Sequence, residues 1–359
     1  DLFARYVSLG NSITAGFQSN GISATTQQDA YPVLLAEQMG TPFNSPLLAG
    51  AGCPPPLTNP LTGERAGEAP CGLRDTPAPV QLNNVAVPGA AVVDLLDNSA
   101  PTSSANTLTQ LFLGGRTQVE VAADLNPTFA SVWIGNNDVL GAALAGVATE
   151  ATVTSVDDFE TRYTEALNTL EDAGAQGGVL YGVSDVTLIP HFSAGAAYAA
   201  VAEALNGLGP GSFTVDASCA PGQQGLTTLV PANYGLFELL LATTQGQDVT
   251  LNCADDERVL VGEEIALLQS RVQAYNTFIQ EEAQERGWAY QPINPTLQEL
   301  RDNGTIPQFP NLTDPGNLFG EAFSLDGVHP SSSTHRVVAN QTIGVINEEY
   351  GTSLSTLQE

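Results

Sequence analysis

Short apolar strands alternate with amphipathic helices along this chain, and this alternation is the feature that most constrains its fold. Strands are predicted at 2–9, 129–134 and 179–183, where short runs of apolar residues dominate. Helices are predicted at 156–173 and 263–286, where apolar side chains recur every three or four residues. Weaker patterns predict further elements at 30–39, 83–87, 90–96, 288–293 and 334–350. The alternation predicts a mostly parallel sheet with helices on both faces.

Two segments do not follow this alternation. Residues 41–82 form a long Pro-rich loop, and residues 184–261 are rich in Gly, Ala and Pro. A length of 359 residues suits one large domain or two modest ones. We predict a single domain over 1–359 that carries the Pro-rich loop and, at 184–261, a lid-like insert.

The charge of the chain is strongly one-sided. It contains 39 Asp and Glu against 10 Lys and Arg, all of them Arg, for a net charge of −29. Nucleic-acid binding needs clustered cations, so these few scattered arginines exclude it. Because salt screens the repulsion between surface acids, the composition predicts a halophilic or marine source; an acidic secreted protein from an ordinary habitat is the alternative. No apolar run approaches the roughly 20 residues of a membrane helix, so no membrane span is expected.

The chain has four cysteines, which are Cys53, Cys71, Cys219 and Cys253. They form no CxxC pair and none lies beside a histidine, so a zinc site is not expected. An even number of cysteines in Pro- and Gly-rich segments favours disulfide bonds. Of the three pairings, we predict Cys53–Cys71 and Cys219–Cys253, because each closes a local loop. Four buried free thiols are the alternative.

Disulfide bonds predict that the protein is secreted, periplasmic or at the cell surface. No signal peptide is visible, and a start at Asp1 that leads into a strand fits a mature or trimmed chain. The acidic run at 255–257 is a candidate calcium site, but in so acidic a chain such a run is usually a solvated face. We therefore expect no metal and no cofactor.

Three tight turns follow apolar segments, at 10–12, 88–90 and 135–138. In a parallel sheet, functional groups collect at the carboxyl ends of the strands, where these turns lie. The first turn would expose the hydroxyl of Ser12. The alternative is that Ser12 only caps the helix that follows.

A serine hydroxyl needs a base, and the chain has three histidines. Only His329 has an acid at the spacing of one turn of chain, which is Asp326. A carboxylate in that position fixes the tautomer of an imidazole through its second ring nitrogen. The rivals are His191, which has no acid within five residues, and His335, which lies at a helix start and is expected to be solvated or to cap the helix.

The order of these motifs resembles the SGNH hydrolases, also called GDSL-type lipases and esterases. The four motifs are Gly-Asn-Ser-Ile at 10–13, Asn-Val-Ala-Val-Pro-Gly at 84–89, Gly-Asn-Asn-Asp at 135–138 and Asp-Gly-Val-His-Pro at 326–330. They span nearly the whole chain. The resemblance implies a three-layer α/β/α fold with a flavodoxin-like, mostly parallel sheet.

The resemblance also implies a role for each motif. The nucleophile, its base and the acid that orients the base would be Ser12, His329 and Asp326. The oxyanion hole would consist of the backbone N–H groups of Ser12 and Gly89 and the side-chain amide of Asn137. Such donors stabilise the charge that develops on the substrate oxygen.

Two asparagines complicate the resemblance. Asn11 stands where the family usually has Asp; its side chain can keep the turn but carries no charge. We expect this change to be tolerated, because Asp326 is the implied acid of the triad. Asn136 is the neighbouring alternative to Asn137 as the oxyanion donor.

We expect a serine esterase or lipase that cleaves carboxylic esters through an acyl-enzyme. The substrate would be a neutral small-molecule or lipid ester with a short-to-medium acyl chain, and no obligate protein partner is evident. An apolar patch at 236–241 predicts that Phe237 and Leu240 contact that chain; the alternative is that the patch only packs the insert. A glycan O-deacetylase and a catalytically silent binding protein on the same fold are the alternative functions.

Overall fold

The computed structural model describes residues 1–68, 73–254 and 257–358. The strands, in chain order, are β1 (Tyr6–Gly10), β2 (Leu57–Asn59), β3 (Glu64–Arg65), β4 (Phe129–Trp133), β5 (Gly177–Tyr181), β6 (Phe192–Ala194), β7 (Phe213–Val215), β8 (Leu229–Pro231), β9 (Val249–Leu251) and β10 (Ala289–Gln291).

The α-helices are α1 (Ser12–Ala15), α2 (Ala24–Gln28), α3 (Tyr31–Met39), α4 (Thr107–Leu113), α5 (Gln118–Ala123), α6 (Asn137–Ala145), α7 (Val156–Asp172), α8 (Gly195–Asn206), α9 (Leu241–Thr244), α10 (Gly262–Arg286), α11 (Asn294–Asp302) and α12 (Ser332–Tyr350). Short 3-10 helices lie at Val92–Leu95, Val186–Leu188, Ala217–Cys219 and Pro315–Asn317, and a π-helix lies at Asn233–Leu240. No helix in the described parts of the chain is long and apolar enough to cross a membrane.

The central sheet consists of four parallel strands in the order β1-β4-β5-β10. Tyr6 lies opposite Phe129 and Gly10 lies opposite Trp133, so β1 and β4 end at the same edge. The predicted parallel sheet is therefore confirmed, and its carboxyl edge carries the turns that follow β1 and β4.

Different helices cover the two faces of this sheet. On one face, Tyr6 and Phe129 pack with residues of α3 and α12. On the other, Val7 and Val132 belong to the core that includes residues of α5, α7 and α10. Neighbouring residues of a strand point to opposite faces, and this alternation separates the two cores. The three-layer α/β/α architecture expected from the sequence is confirmed.

The prediction of a regular strand at 83–87 is wrong. Asn84 forms only an isolated bridge to Ser8 of β1. The side chain of Asn83 donates a hydrogen bond to the carbonyl of Tyr6, so part of the attachment to the sheet is made by side chains. Other boundaries differ from the predictions by a few residues. Strands lie at 6–10, 177–181 and 289–291, where 2–9, 179–183 and 288–293 were predicted. A 3-10 helix at 92–95 takes the place of the helix predicted at 90–96.

The insert at 184–261 has a small core of its own. It contains the antiparallel pair β6–β8 and the parallel pair β7–β9. Tyr198 and Phe213 are buried in a cluster that also includes the cysteines Cys219 and Cys253. These two cysteines form a disulfide bond, which is one of the two predicted pairs.

The Pro-rich loop at 41–82 contains the β2–β3 hairpin. Cys53 is buried in the main core. Cys71 lies outside the described residues, so the Cys53–Cys71 bond stays a prediction.

Candidate active site

Ser12 lies immediately beyond the carboxyl end of β1, as the first residue of α1. The residue that caps this helix is Asn11, whose Oδ1 accepts a hydrogen bond from the backbone N–H of Ile13 at 3.0 Å. The turn is tight at Gly10, because an added Cβ would lie 2.6 Å from the carbonyl oxygen of Trp133. Since Asn11 caps the helix, the alternative that Ser12 serves only as a cap is wrong, and its hydroxyl is available for another bond.

The hydroxyl of Ser12 contacts His329. Its Oγ lies 2.8 Å from Nε2 of His329, and Nδ1 of the same ring lies 2.9 Å from Oδ2 of Asp326. A carboxylate accepts only, so Nδ1 carries the proton and Nε2 presents its lone pair to the serine hydroxyl. Ser12, His329 and Asp326, which the motifs suggest as a functional group, thus form one continuous hydrogen-bonded chain.

The carboxylate of Asp326 is buried and well supplied with donors. Oδ2 also accepts from the backbone N–H of Asn20 at 2.7 Å, and Oδ1 accepts from the backbone N–H groups of Val328 at 2.8 Å and His329 at 2.9 Å. Burial by itself would raise the pKa of Asp326, but His329 and these donors outweigh it and hold that pKa well below its ordinary value. The acid is therefore ionised wherever His329 can act as a base.

The other two turns reach the same place. Ser12, Gly89, Asn137 and His329 line one common cleft. Nδ2 of Asn137 donates to the carbonyl oxygen of Ala90 at 2.8 Å, which fixes the amide beside the loop that carries Gly89. A primary amide has two N–H groups, so a second donor remains on Asn137.

Asn136, the alternative oxyanion donor, is in a different environment. It is buried at the start of α6, and its Oδ1 has no hydrogen-bond partner in the protein. The two asparagines therefore differ: Asn137 lines the cleft shared with Gly89, and Asn136 does not.

Two residues that support these turns were not foreseen. Nδ2 of Asn106 donates to the carbonyl of Pro88 at 2.8 Å, and Oδ2 of Asp138 accepts from the backbone N–H of Val92 at 3.0 Å. Burial raises the pKa of Asp138 to about 7. The nearby Asp94 reinforces this rise, and the hydrogen bonds from the Thr154 hydroxyl and the Val92 N–H oppose it. Asp138 belongs to the third sequence motif, so the sequence could have indicated its supporting role. Asn106 belongs to no motif, and the sequence indicates only that it can cap a helix.

The two rival histidines lie away from the serine hydroxyl. Nδ1 of His191 donates to the backbone carbonyl of Asp326 at 2.9 Å, and burial lowers its pKa. The sequence predicted that His335 would be solvated or would cap the helix, and this prediction is wrong. His335 is fully buried in the first turn of α12. Its Nδ1 accepts from the backbone N–H of Tyr31 at 3.2 Å, and burial lowers its pKa to about 3.

Two cavities meet at Ser12 and His329. The first, of about 80 Å³, is mainly apolar. Its apolar wall is formed by Ile13, Leu140, Val186, Ile189, Ile293, Leu297, Leu300, Phe323, Val328 and Val338. The second, of about 540 Å³, is wider and exposes more polar surface, with Asn20, Arg65, His191 and Asn233 in its wall.

The two predicted substrate contacts in the insert separate in the structure. Phe237 lines the wider cavity and not the apolar one. Leu240 lines neither of these cavities and is buried in the insert's own core, so its expected contact with substrate is wrong. On the π-helix Asn233–Leu240 the two residues are three positions apart. Phe237 also packs against the core that buries Leu240, but of the two it alone reaches the wider cavity.

The described residues contain no cluster of three His, Cys, Asp or Glu side chains that could hold a metal ion. In the acidic run considered as a calcium site, Asp255 and Asp256 lie outside the described residues.

Several solved structures match most of the chain at low similarity. The acetylxylan esterase Axe2 from Geobacillus stearothermophilus has 11% identity and a TM-score of 0.42, with 98% of this chain and 96% of that chain covered. The α/β hydrolase enzyme LAE5 from the metagenome of Lake Arreo has 13% identity and a TM-score of 0.41, with 95% and 93% covered. With TM-scores this low, these similarities carry no argument about the substrate.

A search of curated proteins finds no match. The model of the family described as GDSL-like lipase/acylhydrolase, by contrast, matches residues 6–342, which is nearly the whole chain. The protein therefore belongs to the GDSL-like lipase/acylhydrolase family, and it is a carboxylic ester hydrolase.

Proposed function

We propose that Ser12, His329 and Asp326 are the catalytic triad of this esterase. The observation that carries the proposal is the position of the His329 ring, 2.8 Å from the serine hydroxyl and 2.9 Å from a buried, ionised carboxylate. A serine becomes nucleophilic when a base with a fixed tautomer can take its proton. His329 meets this requirement.

The reaction would proceed in two halves. Oγ of Ser12 attacks the ester carbonyl carbon while its proton moves to Nε2 of His329. The resulting oxyanion accepts hydrogen bonds from the N–H groups of Ser12 and Gly89 and from the free amide N–H of Asn137. Collapse of this intermediate breaks the ester bond, and His329 gives its proton to the departing alkoxide. Water then attacks the acyl-enzyme by the same route, which releases the acid and restores Ser12.

The two cavities support an assignment of the two ends of the substrate. We propose that the acyl chain enters the apolar cavity, because burial of each methylene stabilises the complex by about 0.8 kcal/mol. The alcohol would leave through the wider cavity, where Phe237 and Asn233 of the insert form part of the wall. On this view, Asn233 and Phe237 of the insert at 184–261 contact the alcohol, while Ser184, Val186 and Ile189 at the start of the same segment line the acyl cavity.

Labelling with a fluorophosphonate probe tests the triad directly. We expect one label per chain, found on Ser12 by peptide mapping. An unlabelled but folded protein would contradict the proposal and favour a silent binding protein.

A panel of p-nitrophenyl esters from acetate to palmitate tests the acyl assignment. We expect kcat/KM to rise by about tenfold or more from acetate to a medium chain, since each added methylene is buried. Leu297→Trp fills the apolar cavity from α11 and is expected to lower the ratio of kcat/KM for hexanoate to that for acetate by about tenfold. Phe237→Ala serves as the comparison on the other cavity and should leave this ratio as it is. A strict preference for acetate in the native protein would instead favour a glycan O-deacetylase.

The surface charge supports the proposal of a salt-adapted protein. Among the described residues, carboxylates form ion pairs with Arg116, Arg258, Arg271 and Arg286. With 39 acids against ten arginines in the chain, most carboxylates have no such cation.

We expect the melting temperature to rise from low to molar NaCl, because the Debye length falls from about 10 Å at 0.1 M to about 3 Å at 1 M and repulsion between the acids weakens. Thermal unfolding at several NaCl concentrations measures this. A melting temperature that falls with salt would refute salt adaptation.

The Cys219–Cys253 bond supports an oxidising environment. We therefore propose that the protein acts outside the cytoplasm.

A further inference from the structure

A tight turn at residues 18–21, distant in sequence from Asp326, contacts the segment that carries this acid. The backbone N–H of Gln18 donates to the carbonyl of Gly21 at 2.8 Å, and the N–H of Gly21 donates back to the carbonyl of Gln18 at 3.1 Å. The two residues between them, Ser19 and Asn20, have φ angles of 53° and 52°. A two-residue hairpin turn needs this left-handed pair, which residues other than glycine rarely adopt.

The N–H groups of the two central residues of such a turn have no partner within the turn. Here both of them donate to the segment around Asp326. The N–H of Asn20 lies 2.7 Å from Oδ2 of Asp326, and the N–H of Ser19 lies 2.8 Å from Oγ of Ser324. Backbone in a sparsely populated conformation persists where its surroundings determine it, and for this turn those surroundings include the candidate active site.

The hydroxyl of Ser324 links the turn to the carboxylate. A backbone N–H can only donate, so Oγ of Ser324 accepts from Ser19 and its own hydrogen remains free. Since a carboxylate only accepts, this hydrogen is donated to Oδ1 of Asp326, 3.1 Å away. Ser324 is more than nine-tenths buried, so water would not readily replace a lost bond at this position.

The two oxygens of Asp326 have different partners. Oδ2 faces Nδ1 of His329, whereas Oδ1 accepts from Ser324 and from the N–H groups of Val328 and His329. The two N–H groups belong to the turn that Asp326 itself begins. Ser324 is the donor to Oδ1 that also bonds to the 18–21 turn, so it ties the orientation of the carboxylate to a separate part of the fold.

We propose that Ser324 is a positioning residue of the esterase, whose hydroxyl holds the carboxylate of Asp326 in the orientation that presents Oδ2 to His329. The inference rests on the proposed function, in which Asp326 orients the base. Ser324 lines neither of the two cavities that meet at Ser12, so it acts through Asp326 and not through the substrate. A base that is held less firmly slows the chemical step without weakening substrate binding.

Ser324→Ala tests this role, because it removes the hydroxyl but keeps the backbone bonds of this residue to His329 and Gly327. We expect kcat for a p-nitrophenyl ester to fall by about tenfold, since a buried hydrogen bond to a charged group is lost, while KM stays within about twofold. The rate of fluorophosphonate labelling of Ser12 should fall by a similar factor, because labelling also requires an activated serine.

Two bulkier variants separate the hydroxyl from packing. Ser324→Thr and Ser324→Val introduce side chains of nearly equal size, and only threonine keeps the hydroxyl. We expect kcat of the threonine variant to exceed that of the valine variant by about tenfold, whatever loss of stability both share.

Ser131→Ala is the matched control. Ser131 is fully buried in β4, lines neither cavity, and bonds to the hydroxyls of Ser8 and Tyr6 at 2.8 Å each. This variant also loses a buried hydroxyl with two hydrogen bonds, so it should lower Tm but keep the native kcat.

A native kcat in Ser324→Ala would overturn the inference, and so would a loss confined to KM or equal values of kcat in the threonine and valine variants. Ser324→Cys serves where these variants fail to fold, because it is close in size to serine and its thiol is only a weak donor. A reduced kcat in folded Ser324→Cys supports the inference and a native kcat contradicts it. A native protein that hydrolyses no ester and takes no fluorophosphonate label would instead overturn the proposed function itself.

Discussion

Replacing Ser12 by alanine is expected to lower kcat for ester hydrolysis by about 10⁶-fold, to the level left by the oxyanion donors and by substrate binding alone. The change removes one oxygen that contacts only His329 among the described side chains, so the fold should be retained. His329→Ala should cause a loss of similar size, because the two groups act as one unit. Steady-state kinetics on a p-nitrophenyl ester, with a melting curve for each variant, measures both effects.

Ser270→Ala provides the matched control for this experiment. Ser270 is exposed on α10, and its hydroxyl bonds only to the carbonyl of Leu267 in its own helix. This variant should keep both activity and fluorophosphonate labelling. Native-like turnover by Ser12→Ala would rule out the triad, and so would a much larger loss from His191→Ala than from His329→Ala.

The second large effect is expected for Asp326→Asn, with a loss of about 10⁴-fold in kcat. Asparagine keeps the size of the side chain but can turn an N–H toward Nδ1 of His329. The ring would then carry its proton on Nε2 and present no lone pair to Ser12. The pKa of Asp326 lies well below its ordinary value, so the native carboxylate is charged across the working pH range and this loss should not depend on pH.

Asp124→Asn is the control for the loss of one carboxylate. Asp124 is exposed and pairs with Arg116 at 2.6 Å on the surface. Its replacement should leave kcat within about twofold, since exposed ion pairs contribute little to stability. A loss of less than tenfold in Asp326→Asn would mean that another group orients His329.

The parts of the site that lie on short motifs could be predicted from the sequence. Local patterns, a turn after a strand and an acid three residues before a histidine, make Ser12 and His329 candidates, and the resemblance of the four ordered motifs to the GDSL-type family implies their roles. The structure brings these side chains together through the loop before α12, where Ser324 and Asp326 accept hydrogen bonds from the backbone N–H groups of Ser19 and Asn20.

Features that depend on packing between distant segments could not be predicted in the same way. The apolar run at 236–241 does not indicate which of its side chains reaches the wider cavity. Phe237 does so while also packing against the core that buries Leu240. His335 was expected in solvent because a helix start is usually exposed, but the position of Tyr31 on the neighbouring helix decides its burial.

The contact between Ser12 and His329 joins positions 317 residues apart in sequence. During synthesis the serine is therefore made 317 residues before the histidine that would activate it. Until then the serine hydroxyl has no base and reacts no faster than an ordinary alcohol. Recovery of esterase activity after denaturation should consequently follow the slowest step of assembly, and hydrolytic activity reports on completion of the fold in a way that secondary-structure content does not.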